Sequence, residues 1–283
     1  MFELKERYEF DWRRIQFDDP YHIEYCITDI CNRNCVSCSH LAPLAVRPNF
    51  VGRAEFERVV GILREVVPDA HTVWLTGGEP TLHPEYLTLL GILRAAFVGS
   101  YVGIYTNGAT LGRHDGDGEF WAFTRANGIV WAVTGYDRGR RYFEDLFGRH
   151  GCANNLAYLH DGRTFFRLTD YSRGREVSDA KYAECGWERC KVNVRNGRIF
   201  NCPSAEFADL FAERFGIKTE VGEEDFLPVD GSLTRERLDR FRGPVPFCAQ
   251  CDIRSRHKEI FANRPSNSDV GEWSTFYDAS KGG

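Results

Sequence analysis

The sequence predicts an α/β fold, a parallel sheet covered by helices, followed by a smaller C-terminal region built from a β-hairpin and short helices. Up to about residue 170, apolar strand-like segments alternate with amphipathic helical segments. Near-continuous apolar strands between helices are typical of parallel sheets that are buried on both faces. Beyond residue 175 this alternation stops. We therefore divide the 283 residues into a core, 1–175, and a C-terminal region, 176–283.

The elements of the core follow one another in a regular order. The first strand is predicted from His22 to Ile30, where Ile23, Tyr25 and Ile27 alternate with more polar residues. Further strands are predicted at 72–76, 101–105, 129–134 and 164–168, and helices at 53–67, 84–97, 119–126 and 141–147. In the C-terminal region, residues 191–201 predict a hairpin with Asn196-Gly197 as a type I′ turn.

Composition excludes several classes of partner. The net charge is −5 without a block of Lys and Arg, so we expect no nucleic-acid partner. No apolar run approaches the roughly 20 residues that span a bilayer, and the charged N-terminus does not resemble a signal peptide. We therefore expect a cytoplasmic protein without a membrane partner. In a reducing compartment, its ten cysteines indicate metal ligands or catalytic thiols rather than disulfides.

The loop after the first strand carries three cysteines. Cys31, Cys35 and Cys38 have C-x3-C-x2-C spacing, and thiolates this close together favour zinc, copper(I) or an iron–sulfur cluster. A zinc site requires four protein ligands, so His40 would have to complete it. From the loop alone, a zinc site and a cluster with one open corner both remain possible.

Two further polar motifs follow strands of the same predicted sheet. Gly77-Gly78-Glu79-Pro80 comes after the second strand, and Thr106-Asn107-Gly108 comes after the third. Because the carboxyl ends of parallel strands meet at one edge, both motifs should lie beside the cysteine loop.

The cysteine loop followed by Gly77-Gly78-Glu79-Pro80 resembles the radical SAM superfamily. This resemblance implies a partial (β/α) barrel whose three cysteines hold a [4Fe–4S] cluster, with S-adenosylmethionine chelating the fourth iron. Cleavage of that cofactor would yield methionine and a 5′-deoxyadenosyl radical that abstracts hydrogen. The Gly77–Pro80 turn would contact the methionine moiety, and Asn107 and Thr134 are weaker candidates for cofactor contacts. Ser37 departs from the family, in which an aromatic residue often precedes the third cysteine and packs near the adenine.

The C-terminal cysteines resemble the SPASM/twitch auxiliary-cluster region, which combines a cysteine, Gly-x4-Cys and C-x2-C. Gly197-x4-Cys202 supplies the middle; eleven residues separate Cys185 from Gly197, which fits, whereas Cys190 lies too close. The resemblance implies a second [4Fe–4S] cluster, although a structural zinc ribbon has the same spacing. Its expected ligands are Cys185, Cys202, Cys248 and Cys251. Cys190 is a candidate hydrogen-atom donor, an alternative ligand or a core residue.

Three hypotheses for the function remain open, two of which differ in the substrate. Only about twenty residues precede the first strand, which leaves no room for a peptide-recognition domain. We therefore expect oxidation or epimerisation of a small polar molecule (a carbohydrate, aminocyclitol or glycoside), with a flavodoxin or ferredoxin as electron donor. The alternatives are modification of a ribosomally made peptide and, more remotely, a structural protein with two zinc ions.

Overall fold

A computed structural model describes residues 21–160, 164–166, 169–185, 191–219, 221–252, 260–262 and 264–275 of the protein. Its main feature is an eight-stranded sheet with the order β5-β4-β3-β2-β1-β7-β8-β9. Strands β1 to β5 run parallel to one another and β7 pairs in parallel with β1. The pairs β7–β8 and β8–β9 are antiparallel. The bounds are β1 His22–Thr28, β2 Thr72–Gly77, β3 Tyr101–Thr106, β4 Val130–Thr134, β5 Leu156–His160, β7 Lys191–Arg195, β8 Arg198–Phe200 and β9 Phe226–Pro228. Two further strands, β6 (Thr164–Phe166) and β10 (Ile260–Ala262), form a separate antiparallel pair.

Helices connect the parallel strands and cover one face of the sheet. In the described residues they are α1 Arg53–Val66, α2 Tyr86–Ala96, α3 Gly118–Ala126, α4 Arg140–Arg149, α5 Asp179–Glu184, α6 Pro203–Glu206, α7 Ala208–Phe215 and α8 Arg235–Phe241. Phe56 and Leu63 of α1 face Ile23 and Tyr25 of β1 in one large apolar core. The result is the partial (β/α) barrel that the sequence predicts, with α1 to α4 on its outer side.

The other face of the sheet is polar near its middle. Side chains alternate along a strand, so His22 and Glu24 point away from the helix-covered core that contains Ile23 and Tyr25. Lys191 and Asn193 of β7 lie beside them, because β1 and β7 pair His22 with Lys191 and Glu24 with Asn193. All four of these side chains are buried. We call this surface the concave face.

The fifth parallel strand differs from the prediction. It is β5, Leu156–His160, and not residues 164–168, of which 164–166 form β6 in the separate pair; residues 167 and 168 lie outside the described part. A turn of 3₁₀ helix, Ala153–Asn155, leads from α4 directly into β5. Such a short connection suffices because the strand only has to return from the helix layer to the sheet.

The predicted hairpin is confirmed and extends the main sheet. Asn193 pairs with Phe200, and Asn196 and Gly197 have φ values of 51° and 67°, as a type I′ turn requires. Its first strand, β7, pairs in parallel with β1. Strands from both sides of the proposed division at residue 175 therefore lie in one continuous sheet. None of the helices in the described part of the chain is long and apolar enough to cross a bilayer.

Candidate active site

The cysteine loop leaves the C-terminal end of β1 and is tied to a late segment of the chain. Val36 donates its backbone N–H to the Arg264 carbonyl at 3.1 Å, and Ser266 donates to the Asn34 carbonyl at 2.7 Å. Cys35 and Pro265 form an isolated β-bridge. Residues 264–275 thus pack against the loop that carries the three cysteines.

The same segment lies against the position where the family often has an aromatic residue. Ser37 is buried with a φ of 50°, and its hydroxyl donates a hydrogen bond to the Glu272 carbonyl. That carbonyl stands where a larger side chain at position 37 would extend. The late segment therefore gives a steric reason for the small residue.

The three thiols of the loop influence one another electrostatically. Burial raises the pKa of Cys31 to about 12 and that of Cys38 to about 11, and the charge of Cys35 adds to both shifts. Across the described ranges, however, no three His, Cys, Asp or Glu side chains converge closely enough to hold a metal ion as they stand. Loading would therefore require the thiols to turn toward a shared centre. Their chemistry fits an iron–sulfur cluster, because its iron ions carry the positive charge that neighbouring thiols need to ionise together.

The Gly77–Pro80 turn packs directly on the end of β1. A Cβ on Gly77, whose φ is 143°, would lie 2.2 Å from the Thr28 carbonyl oxygen, and one on Gly78 would lie 2.3 Å from that of Ile30. Hydrogen bonds join the same segments, from Gly78 N–H to Thr28 O at 2.8 Å and from Glu79 N–H to Ile30 O at 2.7 Å. Glycine is required here because the backbones touch.

The Glu79 side chain joins the ends of two strands. Fully buried, its carboxylate accepts hydrogen bonds from the Thr81 hydroxyl at 2.6 Å, the Thr106 hydroxyl at 2.8 Å and the Asn107 backbone N–H at 2.7 Å. Burial raises the pKa of Glu79, and these bonds oppose the rise. This carboxylate therefore fixes the second motif against the third.

The Asn107 side chain contacts the cysteine loop, as expected if both polar motifs lie at the same edge of the sheet. Its side-chain amide nitrogen donates to the side-chain oxygen Oδ1 of Asn32 at 2.7 Å and lies 3.8 Å from the Cys31 sulfur. Thr134 ends β4 on the same edge and is half-buried. The structure thus brings Asn107 to the cysteine loop and places Thr134 at the same edge.

His40, the fourth ligand in the zinc alternative, lies between the two core motifs. Its Nδ1–H donates to the Gly77 carbonyl at 2.5 Å, since a carbonyl can only accept. Its ring stacks on Phe207 at 4.9 Å, and burial lowers its pKa. These contacts give His40 a structural role between loop and turn.

Sequence reasoning missed Tyr136 and Arg33, which also lie at the cysteine loop. The Arg33 guanidinium sits 4.2 Å above the Tyr136 ring and donates to Asp137 at 2.6 Å. Burial raises the pKa of Tyr136, and the charges of Cys35 and Cys38 add to the rise. Tyr136 follows β4 by two residues, so its position after a strand was the signal that could have identified it.

The second group of cysteines is partly assembled by one lysine. Lys181, in α5, donates its ammonium to the Ala249 carbonyl and, at 3.0 Å, to the Cys251 carbonyl. Burial raises the pKa of Cys248, and the charge of Cys185 adds to this. Cys185 and the Cys248–Cys251 loop are therefore neighbours.

The other predicted members of this group differ in how they are placed. Cys202 is the N-cap of α6 and packs with Cys248 against one apolar cluster. Gln250, between Cys248 and Cys251, is fully buried, and within the described residues neither of its amide atoms has a hydrogen-bond partner. A cluster fits this arrangement, because its sulfides would accept the amide N–H. Cys190 lies outside the described residues.

The concave face holds a buried charged group that sequence reasoning missed. Glu24 accepts hydrogen bonds from His22 Nε2 at 2.9 Å and from Lys191 Nζ at 3.1 Å, and His22 Nδ1 contacts the Thr72 hydroxyl. Burial alone would raise the pKa of Glu24, but Lys191 and His22 outweigh it and lower the pKa far below its usual value. Charged residues at alternate positions of a buried strand were the available signal.

Comparison with known proteins supports the family resemblance that the cysteine loop suggests. Residues 25–150 match the family model described as the radical SAM superfamily. GTP 3′,8-cyclase of Mannheimia succiniciproducens is 30% identical over 177 residues, covering 61% of this chain and 44% of that protein. GTP 3′,8-cyclase of Pectobacterium atrosepticum is 26% identical over 233 residues, 77% of this chain and 62% of that protein. The chain thus spans about half the length of the curated relatives that it matches.

A solved structure of BtrN in complex with AdoMet and 2-DOIA is 13% identical to this chain, with a TM-score of 0.49 over 81% of this chain and 92% of that one. The family match covers the second half of β1, the strands β2 to β4, the cysteine loop and both polar turns. Over residues 25–150, this chain is therefore similar to the radical SAM superfamily.

Proposed function

We propose that this protein abstracts hydrogen from a carbon of a small polar substrate, a carbohydrate, aminocyclitol or glycoside, and ends in oxidation or epimerisation. Cleavage of S-adenosylmethionine at a reduced [4Fe–4S] cluster would supply the radical. The family match of residues 25–150 supports this chemistry. The choice of a small polar substrate rests on a single observation, the buried polar group on the concave face.

That group offers both acceptors and donors to a hydroxylated or aminated ligand. Asn193 lies beside Glu24 and is 1% exposed, and within the described residues its Oδ1 has no hydrogen-bond partner. A buried carbonyl oxygen without a donor is costly, and a ligand hydroxyl or ammonium would satisfy it. The ionised Glu24 would accept a second donor from the same ligand, whereas an apolar ligand would satisfy neither group.

The same face disfavours a substrate with a phosphate chain, although the curated relatives are GTP cyclases. A triphosphate requires several cations that are available to it. On this face Lys191 is paired with Glu24 at 3.1 Å, and Arg195 with Asp29 at 2.8 Å. Among the residues that the structure describes, these two positive charges are matched by carboxylates, which favours a neutral or amine-bearing substrate.

The proposal gives each predicted site residue a role. Cys31, Cys35 and Cys38 would hold the first cluster, and the backbone of the Gly77–Pro80 turn would contact the methionine moiety. Asn107 and Thr134 would contact the rest of the cofactor, and a flavodoxin or ferredoxin would deliver the electron. The ligands of the second cluster would be Cys185, Cys202, Cys248 and Cys251. In oxidation this cluster would accept the second electron from the substrate radical, whose hydroxyl or amine would lose a proton to solvent. In epimerisation Cys190 would donate the hydrogen atom.

The test is an anaerobic assay of the iron-loaded protein with a reductant, S-adenosylmethionine and a panel of sugars and aminocyclitols. We expect 5′-deoxyadenosine to form faster with one class of these substrates. A ketone without solvent deuterium at the carbon identifies oxidation. Deuterium incorporation with inversion, lost in Cys190→Ala, identifies epimerisation.

Two matched variants test the concave face. Glu24→Gln removes the buried carboxylate charge, whereas Glu57→Gln removes an exposed one that is paired with Arg53. We expect only Glu24→Gln to abolish the acceleration by substrate, with slow cleavage without substrate unchanged. An equal effect of both variants would contradict the assignment. Acceleration by a ribosomal peptide alone would favour the peptide hypothesis, and a colourless protein with two zinc ions and no iron would overturn the radical reading.

A further inference from the structure

One buried guanidinium contacts both cysteine-bearing segments. Arg195 is the last residue of β7, and it is 4% exposed. It lies next to β1 because the two strands pair in parallel. From this position its side chain reaches the residue that follows β1 on one side and the helix that follows Cys202 on the other.

The first contact is with Asp29, two residues before Cys31. Arg195 Nε donates to Asp29 Oδ1 at 2.9 Å and Nη2 donates to Oδ2 at 2.8 Å, a bidentate pair. Asn49 holds Asp29 from the opposite side, accepting from its backbone N–H and donating to Oδ2, both at 2.7 Å. Asp29 is 3% exposed, so water competes little for these bonds. The entry to the cysteine loop is thereby fixed to β7.

The second contact is with the segment that begins at Cys202. Arg195 Nη1 donates to the Glu206 carbonyl at 2.8 Å and to the two oxygens of Asp209 at 2.9 and 3.0 Å. Glu206 ends α6, and its backbone N–H donates to the Cys202 carbonyl at 3.1 Å. The Arg195 guanidinium also lies 5.0 Å from the centre of the Phe207 ring.

We propose that Arg195 is a positioning residue that holds the two cysteine sites at a fixed separation. The proposal rests on the two-cluster function above, but it concerns the chain that joins the sites. A planar guanidinium has enough donors to bond both segments at once, and a lysine ammonium cannot form the same paired contacts. Exchange of arginine for lysine therefore keeps the charge and removes the clamp.

The first experiment uses the full chain purified anaerobically, with iron measured in each sample. Hydrogen exchange of residues 30–38 and 202–206 is followed by mass spectrometry in wild type, Arg195→Lys and Asp209→Ala. We expect both variants to speed exchange in residues 30–38 by about tenfold or more, because an opened clamp allows local unfolding there. Asp209 is exposed and bonds Arg195 only at the Cys202 side, so its effect on residues 30–38 reports transmission through the guanidinium.

A matched control is Arg235→Lys, which alters another bidentate pair, with Asp69 at 2.6 and 3.2 Å, on the exposed surface. It should leave both segments unchanged. Accelerated exchange confined to residues 202–206 in Asp209→Ala, or no change in Arg195→Lys, would overturn the proposal.

A second experiment measures the protein with both iron–sulfur clusters bound. Relaxation-based pulsed EPR measures the distribution of distances between the two reduced clusters, which should broaden in Arg195→Lys and stay narrow in Arg235→Lys. An unchanged distribution with both clusters present would refute the clamp. A wild type with fewer than two clusters would instead contradict the proposed function, and the exchange experiment would still decide the clamp.

Discussion

Replacing Gly78 by alanine should separate the Gly77–Pro80 turn from the cysteine loop. A Cβ at this position would lie 2.3 Å from the Ile30 oxygen, 2.5 Å from the Ile30 carbon and 2.6 Å from the Asp29 oxygen. All three are backbone atoms, so no side chain can rotate away. The turn must therefore retreat by about 0.7 Å before the nearest contact becomes tolerable.

The cost follows from the bonds that this movement breaks. Hydrogen bonds from Gly78 N–H to Thr28 O, at 2.8 Å, and from Glu79 N–H to Ile30 O, at 2.7 Å, would stretch beyond useful length. Each is worth about 1 kcal/mol, and overpacking adds about 1–3 kcal/mol. We expect the free energy of unfolding to fall by about 3–5 kcal/mol and Tm to fall by roughly 6–20 °C.

The control is Gly61→Ala in the exposed middle of α1, where a new Cβ meets nothing within 4 Å. It should raise the free energy of unfolding by about 0.5–1 kcal/mol, because alanine favours the helix. Thermal unfolding by circular dichroism, with iron measured after reconstitution, compares the two variants. If Gly78→Ala melts within about 1 °C of wild type and binds equal iron, the contact between turn and loop does not govern this site.

Three further predictions concern titration and hydrogen bonding. Glu79→Leu leaves the buried hydroxyl of Thr106 and other donors without an acceptor, so it should lower the free energy of unfolding, measured in urea, by about 3 kcal/mol. Glu79→Gln keeps one acceptor oxygen and should lower it by about half as much. Equal losses in the two variants would contradict this role of Glu79. The pKa of Glu24 is lower in the folded than in the unfolded protein, so its stabilisation is present above about pH 4.5 and is lost as the pH falls below it. Between pH 5 and 3, wild type should therefore lose up to about 1.4 kcal/mol per pH unit more than Glu24→Gln, and parallel curves would refute the assignment. In metal-free protein the pKa of Cys31 is raised to about 12, so its alkylation by iodoacetamide should accelerate about tenfold per pH unit up to pH 10, and a plateau near pH 9 would contradict that shift.

The site at the end of β1 could be predicted because its parts are local in the chain. Cys31, Cys35 and Cys38 share one loop, and the two polar turns each follow a strand directly. Once the strands are parallel, their carboxyl ends must meet at one edge, and the contact of Asn107 with Cys31 follows. The hairpin turn was equally readable, since Asn-Gly accepts the positive φ values of a type I′ turn.

By itself, the sequence determined the alternation of strands and helices, the hairpin turn and the motifs at one edge, because each depends on neighbouring residues or on a short period. Only the tertiary structure decided that β7 lies against β1, since strand order depends on contacts between distant residues. That pairing brings Lys191 to Glu24 and Arg195 to Asp29, and folding of the late segment brings Glu272 to Ser37. These contacts join residues more than 160 positions apart, and no local pattern encodes them because the energy that favours them arises only when both partners are buried together.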